Sequence, residues 1–198
     1  VEPKYDGGTI VLVYENDRLA RAATRGNGTV GDEITANMRT LRSVPLQAAF
    51  SRYGIAKVEL RGEALIRKDV FEKMNARRQA AGEQLFANPR NAATGGLRMK
   101  DPKEAANRGL EAFLYQLGYA VDAVGNNVLA NFPTHETSLQ LLEALGFKVP
   151  TSTLAAQTLP AERRVCANIA EVIAFCEAWQ NHRDAYPYEI DGMVIKVN

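Results

Sequence analysis

Glu2-Pro3-Lys4-Tyr5-Asp6-Gly7 opens the chain and leads straight into the apolar run Thr9 to Tyr14. Extended backbone sends alternate side chains to opposite faces, so Glu2, Lys4 and Asp6 share one side, with Pro3 and Tyr5 on the other. Carboxylates on both sides hold a lysine as its ammonium. It becomes a nucleophile only when desolvation or a neighbouring cation removes the proton. Taken alone, the hexapeptide reads first as an ion-pair ladder on a strand edge, an arrangement that adds little stability. The stretches around it decide between that reading and chemistry.

Outward from this start, Thr9 to Tyr14 and Arg18 to Thr24 are strand-like, and the turn Glu15-Asn16-Asp17 makes them a hairpin. Arg25-Gly26-Asn27-Gly28-Thr29-Val30-Gly31-Asp32 is a glycine-rich loop that lets backbone approach a ligand closely, although plain turns use the same composition. Thr29 or Asp32 is expected to cap a helix that runs to Arg42 and stops before Pro45. Lys57 to Ile66 has strand character. Val58 and Leu60 lie on one face, with Glu59, Arg61 and Glu63 on the other, either an exposed sheet surface or the wall of a polar cleft.

Asp69 is expected to cap an amphipathic helix reaching about Ala81, with Val70, Phe71 and Met74 inward and Arg77 and Arg78 in solvent. Phe86 to Arg98 combines Asn88, Arg90, Asn91, Thr94 and Arg98 with two glycines. Pro89 suits the first turn of a short helix ending at Gly95 or Gly96. That stretch reads equally as a phosphate site and as a capped surface helix. Leu110 to Tyr119 is an apolar strand, and Thr134 to Leu145 an amphipathic helix with His135 on the surface. A polar linker is expected from Thr151 to Arg164. A helix over Asn168 to Asn181 then buries Ile169, Val172, Ile173, Cys176 and Trp179. Asp191 to Lys196 repeats the opening chemistry in reverse order: carboxylate, glycine, apolar strand, lysine.

Charged residues make up 24% of 198 and the net charge is +1, which excludes a disordered chain and a uniformly basic one. Cys166 and Cys176, the only cysteines, lack metal-ligand spacing and imply no disulfide framework, so a reducing cytoplasm is expected. No apolar run is long enough to span a bilayer. Val1 in place of an initiator Met, and a strand still running at Asn198, read as a fragment.

Together these blocks resemble the adenylation domain of bacterial NAD-dependent DNA ligases. Glu2-Pro3-Lys4-Tyr5-Asp6-Gly7 resembles the family's Lys-x-Asp-Gly motif, and Thr24 to Arg42 its second signature. Arg61-Gly62-Glu63, Asn88 to Arg98, the strand at Tyr115 and Asp191 to Lys196 fall in the family's order. Lys-x-Asp-Gly and Asp-Gly-x-Val-x-Lys are shared with ATP-using ligases and capping enzymes, whereas the second signature and Asn-Pro-Arg-Asn discriminate the NAD-using branch. Gln116 stands where the family more often has glycine after the tyrosine.

The resemblance implies an α+β nucleotidyltransferase (ATP-grasp-like) fold, antiparallel sheets with flanking helices and a nucleotide cleft, over residues 1–198. It implies family domains outside this stretch: an upstream helical domain binding nicotinamide mononucleotide (NMN), and downstream oligonucleotide-binding, zinc, helix-hairpin-helix and BRCT domains. Lys4 would be the nucleophile that takes AMP from NAD, and Asp6 its orienting acid. Glu2 would contact the adenine amino group, Arg25 and Glu63 the ribose, and Tyr115 the adenine face. Val194 would line the base pocket, Lys196 would reach adenine or the α-phosphate, and Asp191 would support catalysis and Mg2+. Arg90, Arg98 and Arg183 would face phosphate and DNA. No protein-only metal site is implied.

Partners would be NAD or AMP and nicked duplex DNA, with no membrane and a monomeric enzyme. Without the NMN-binding domain, the chain alone would hold AMP yet adenylate weakly or not at all. The alternatives are an ATP- or GTP-using nucleotidyltransferase of the RNA-ligase or capping type, and a non-catalytic nucleotide-binding module. A structural domain without a nucleotide site would require Lys4 and Lys196 to lie far apart.

Overall fold

A computed structural model of the chain describes residues 1–152 and 160–198. Two antiparallel sheets carry it. The larger has the order β3-β2-β4-β5, with β2 (Gly8–Glu15), β3 (Arg18–Thr24), β4 (Lys57–Ile66) and β5 (Leu110–Val121). The smaller joins the two ends of the chain: β1 (Glu2–Tyr5) pairs with β6 (Ile190–Val194), setting Glu2 opposite Val194 and Lys4 opposite Gly192. The β2–β3 hairpin turns on Asn16 and Asp17, both at positive φ, the two-residue geometry that matches strand twist.

Helices cover the large sheet. α1 (Thr35–Met38) lies on β3, α3 (Pro89–Leu97) on β2 and β4, and α5 (His135–Ala144) on β5. α2 (Lys68–Ala80) and α4 (Pro102–Ala106) flank α3. The main core is aliphatic, with Ile10, Leu12, Leu60, Leu97, Leu114 and Leu139 among its members. A second core is aromatic and lies beneath the small sheet. There Tyr5, Phe113, Tyr186 and Tyr188 meet Phe175 and Trp179 of α6 (Ile169–His182). Tyr5 stacks on Phe113 at 4.8 Å and Trp179 meets Tyr186 edge-on at 5.0 Å, contacts that each add about 1 kcal/mol beyond burial. This core ties β1, and with it Lys4, to α6 and to β5.

Four expectations are corrected. The helix after the glycine loop is only Thr35–Met38, and neither Thr29 nor Asp32 caps it. The Thr35 hydroxyl binds the Ala22 backbone, and Asp32 turns to Thr24 and Arg98. Asp69 does not cap α2; Arg67 holds that position and pairs with Asp69, which contributes charge to the first turn instead. In α6 the buried face is Phe175 and Trp179, while Ile169 and Ile173 are 69% and 51% exposed. Packing against the tyrosines rotates the helix away from its aliphatic stripe. The linker expected over Thr151 to Arg164 falls partly on residues 153–159, outside the described residues. Just before its far end, Glu162 and Arg163 are buried, Glu162 on Tyr186 and Arg163 on Glu136 and Glu143, while Arg164 is exposed. Mixed helix and antiparallel sheet, as expected, is what the chain forms.

Candidate active site

β1 and β6 build the centre. Lys4 Nζ donates to both carboxylate oxygens of Asp191, at 2.7 and 2.6 Å. Asp6 is not bonded to Lys4; its carboxylate accepts from Arg90 Nη1 at 3.0 Å. Gly7 follows because the chain must cross β4 closely there: a Cβ would lie 2.3 Å from the Ala64 carbonyl oxygen.

α3 clasps the two signature segments. Asn88 caps it through the Asn91 N–H, and Pro89 occupies its first turn as expected. Its first turn sends Arg90 to Asp6, and Arg98 just past its end sends Nε to Asp32 of the glycine loop at 2.7 Å. Gly7, Thr24, Arg25, Arg90 and Arg98 line one cavity between these elements. Arg25 also lines the adjoining cleft, with Glu59, Arg61 and Tyr115 on its wall. The charged face of β4 is therefore a cleft wall and not an open sheet surface. Tyr115 owes its direction to an irregularity in the β4–β5 register, which pairs Arg61 with Gln116 and Gly62 with Leu114 and leaves Tyr115 unpaired between them.

At the start of β1, Glu2 is buried between Lys196 and His135. Lys196 Nζ pairs with one carboxylate oxygen, and His135 Nε2 lies 2.9 Å from the other. Lys196 also donates to the Tyr115 carbonyl at 3.3 Å and sits 5.3 Å from the centre of that ring. Burial pushes the Glu2 carboxyl up, but His135 and Lys196 outweigh it and hold the group below the ordinary carboxylate range. Val194 lines the cavity around Glu2, His135 and Lys196.

Glu63 is also buried, with no such pairing. Burial is the dominant effect and pushes its carboxyl up to about 7 against the pull of Thr9 and Arg90. Its charge and that of Arg25 both act on Tyr115, whose hydroxyl is pushed up to about 12, chiefly by burial.

Eleven of the twelve residues singled out from the sequence thus fall into contacting or neighbouring groups: Lys4 with Asp191, Asp6 with Arg90, Glu2 with Lys196, Tyr115 and Val194 nearby, Arg25 and Arg98 along the cleft, and Glu63 within electrostatic reach of Arg90. Arg183 is not joined to them. It ends α6 at the surface, where its carbonyl accepts from Lys68, and among the described residues no contact ties its side chain to the cluster. His135, expected on the surface, is instead a member. It stands one residue after the Thr134 cap, and 133 positions separate it from Glu2, so nothing local in the sequence announces the contact.

Known proteins match this arrangement in sequence. A family described as NAD-dependent DNA ligase adenylation domain matches residues 1–198. DNA ligases of Sulfurihydrogenibium sp. (strain YO3AOP1) and Persephonella marina are each 54% identical, and that of Aquifex aeolicus 52%, in every case over 100% of this chain. The chain spans about a quarter of the length of these curated relatives, 27, 27 and 26% respectively. By the match over its whole length, the chain belongs to the NAD-dependent DNA ligase adenylation domain family.

Proposed function

We propose that this chain is the nucleotide-charging module of an NAD-dependent DNA ligase, built on the nucleotidyltransferase fold. One observation supports the reading: β1, paired with β6, carries both Lys4 and the buried Glu2, whose contacts with Lys196 beside Tyr115 form a group suited to a purine. NAD is the substrate. The Lys4 amine bonds to the α-phosphorus, the bond from that phosphorus to the bridging oxygen breaks, and NMN leaves with the electron pair. Asp191 holds and orients the Lys4 ammonium, which must shed its proton before it attacks. Glu2 accepts from the adenine amino group, Tyr115 covers the base, and Glu63 with Arg25 holds the ribose.

Arg90 and Arg98 neutralise phosphate charge. Such transfers need little from the protein beyond positioning and charge. In the following steps a nick's 5′-phosphate oxygen takes AMP from Lys4, and the 3′-hydroxyl then expels AMP to seal nicked duplex DNA.

Among the described residues no group of three His, Cys, Asp or Glu side chains is set to hold a metal. Asp191 or Asp6 would offer a carboxylate to a Mg2+, an ion that commonly takes its other oxygen ligands from water and substrate phosphates. When bound, the ion neutralises phosphate charge. The test is intact mass of the full-length protein after incubation with NAD and Mg2+. A gain of about 329 Da, one AMP, is expected. It should vanish in Lys4→Ala and reverse on adding NMN. No gain, or a gain that persists in Lys4→Ala, overturns the proposal; a gain from ATP but not NAD moves the chain to the ATP-using branch.

A further inference from the structure

Three cations of the site are each held by a carboxylate: Lys4 by Asp191, Arg90 by Asp6 and Arg98 by Asp32. Asp191 and Asp6 have places in the chemistry proposed above, and Asp32 has none. The cavity between α3 and the glycine loop counts Arg25, Arg90 and Arg98 among its lining residues and no carboxylate. Asp32 therefore supplies Arg98 with a counter-charge from outside those walls. The loop does not need that carboxylate to close. The Thr24 N–H donates to the Asp32 carbonyl at 2.9 Å, and the Asp32 N–H donates to the Thr24 hydroxyl, also at 2.9 Å. Within this ring, Asn27 Oδ1 accepts from the N–H groups of Thr29 and Val30, at 3.0 and 2.8 Å. Nor does Arg98 need it to keep its place, since Leu97 before it is buried in the main core. The Asp32 carboxylate itself meets Arg98 Nε at 2.7 Å and the Thr24 hydroxyl at 3.3 Å. Asp32 and Arg98 are both exposed, and an exposed pair is weak enough to exchange for a better partner.

We propose that Asp32 is a placeholder for phosphate: its carboxylate competes with the phosphate of bound AMP for Arg98, and so speeds the release of AMP once a nick is sealed. This assignment rests on the ligase reading above, in which Arg98 neutralises phosphate. A guanidinium has five N–H donors and only Nε is bonded to Asp32, so a phosphate can be engaged through the others before Asp32 lets go. While AMP is joined to Lys4 or to the nick, the covalent bond holds its phosphate in place and Arg98 can turn to it. After sealing, AMP stays by noncovalent contacts alone, and each one that a carboxylate contests shortens its stay. A site that gripped phosphate with every cation uncontested would be blocked by its own product.

The test is calorimetric titration of the full-length protein, freed of covalent AMP by excess NMN, with AMP and with adenosine, comparing wild type with Asp32→Asn. The variant is isosteric and keeps both bonds to Thr24 that close the loop. AMP should bind it about two- to fivefold more tightly at low salt, with the gap closing as salt rises. Adenosine, which carries no phosphate, should bind both proteins alike. Glu15→Gln removes the same charge at the far end of β2, where Glu15 pairs with Lys57, and should follow wild type. Unchanged AMP affinity in Asp32→Asn overturns the proposal. Weaker AMP binding also overturns it and makes Asp32 a residue that holds Arg98 in place for phosphate. Equal tightening of AMP and adenosine overturns it as well, since the shape of the loop and not its charge would then have changed. Failure of wild type to gain AMP mass from NAD is the separate failure of the ligase reading, and it leaves the comparison of AMP with adenosine readable.

Discussion

Lys4 and Lys196 stand at the two ends of the paired strands β1 and β6, and their surroundings are opposite. The Lys4 side chain is 55% exposed, with one partner, Asp191, itself 40% exposed. Lys196 is half-buried on a Glu2 carboxylate that is 5% exposed, with the Tyr115 ring and carbonyl beside it. An ion pair in water contributes about 1 kcal/mol or less, so a phosphate can displace Asp191 from Lys4 at little cost. A buried pair is fixed before any ligand arrives. Under the proposed function, the end that reacts is left free, while the end that recognises the base is organised in advance.

The contrast breaks or stands on one comparison. Lys196→Ala leaves a buried carboxylate with His135 as its only side-chain partner among the described residues and should lower stability by about 3–5 kcal/mol. Lys4→Ala, at an exposed pair, should stay within about 0.5 kcal/mol of wild type. Denaturant unfolding measures both, and equal losses would show that the two ends do not differ.

Glu63 extends the contrast to a buried carboxyl without a cation bonded to it. Its proton is held to about pH 7, above the ordinary 4.5, so between these values the native state binds a proton that the unfolded chain does not. The associated stability is fully present below pH 4.5 and is lost as pH rises through 7. A shift of this size corresponds to about 3 kcal/mol. Glu63→Gln should therefore remove about that much of the pH dependence of unfolding across this window. A variant whose stability follows the wild-type pH curve would mean that Glu63 ionises normally.

The strands were legible because their chemistry is local. The alternation through Thr9 to Tyr14 and Lys57 to Ile66, and the Asn88-Pro89 start of α3, each encode their own geometry. Two of the misreadings share a cause: a distant partner overrode a local preference. Asp32, well suited to cap a helix, was captured by Arg98, and the aliphatic stripe of α6 lost to an aromatic face whose tyrosines come from other segments. The site divides the same way. The Lys4 and Lys196 motifs are short and readable, and Arg90 and Arg98 flank a helix that announces itself. The Lys4–Asp191 bond and the place of His135 follow only from the closure of β1 on β6 and the docking of α5 on β5.

His135 sharpens the comparison at the recognising end. Its removal in His135→Ala strips one oxygen of Glu2 of a hydrogen bond inside the protein. Stability should fall by about 1–2 kcal/mol, and AMP binding should weaken. His135→Gln, whose amide N–H can replace the donor, should restore most of both. Calorimetric titration with AMP beside thermal unfolding reads the two effects. Wild-type affinity in His135→Ala would leave Glu2 oriented by Lys196 alone.

The smallest effect is expected beside the reactive lysine. Tyr5 follows Lys4 and buries its hydroxyl in the aromatic core, where that oxygen finds no hydrogen-bond partner among the described residues. The nearest polar group is the Tyr186 hydroxyl, already donated to Glu162, so the Tyr5 hydroxyl is at best weakly satisfied, whereas the ring packs on Phe113. Tyr5→Phe keeps the ring and deletes the unpaired group, so it should change stability by less than about 1 kcal/mol and in the favourable direction. The AMP mass gain should remain, because Lys4 and Asp191 are untouched. A clear loss of stability in Tyr5→Phe would mean that the hydroxyl is bonded in solution. The aromatic core would then hold β1 through a polar contact as well as through packing.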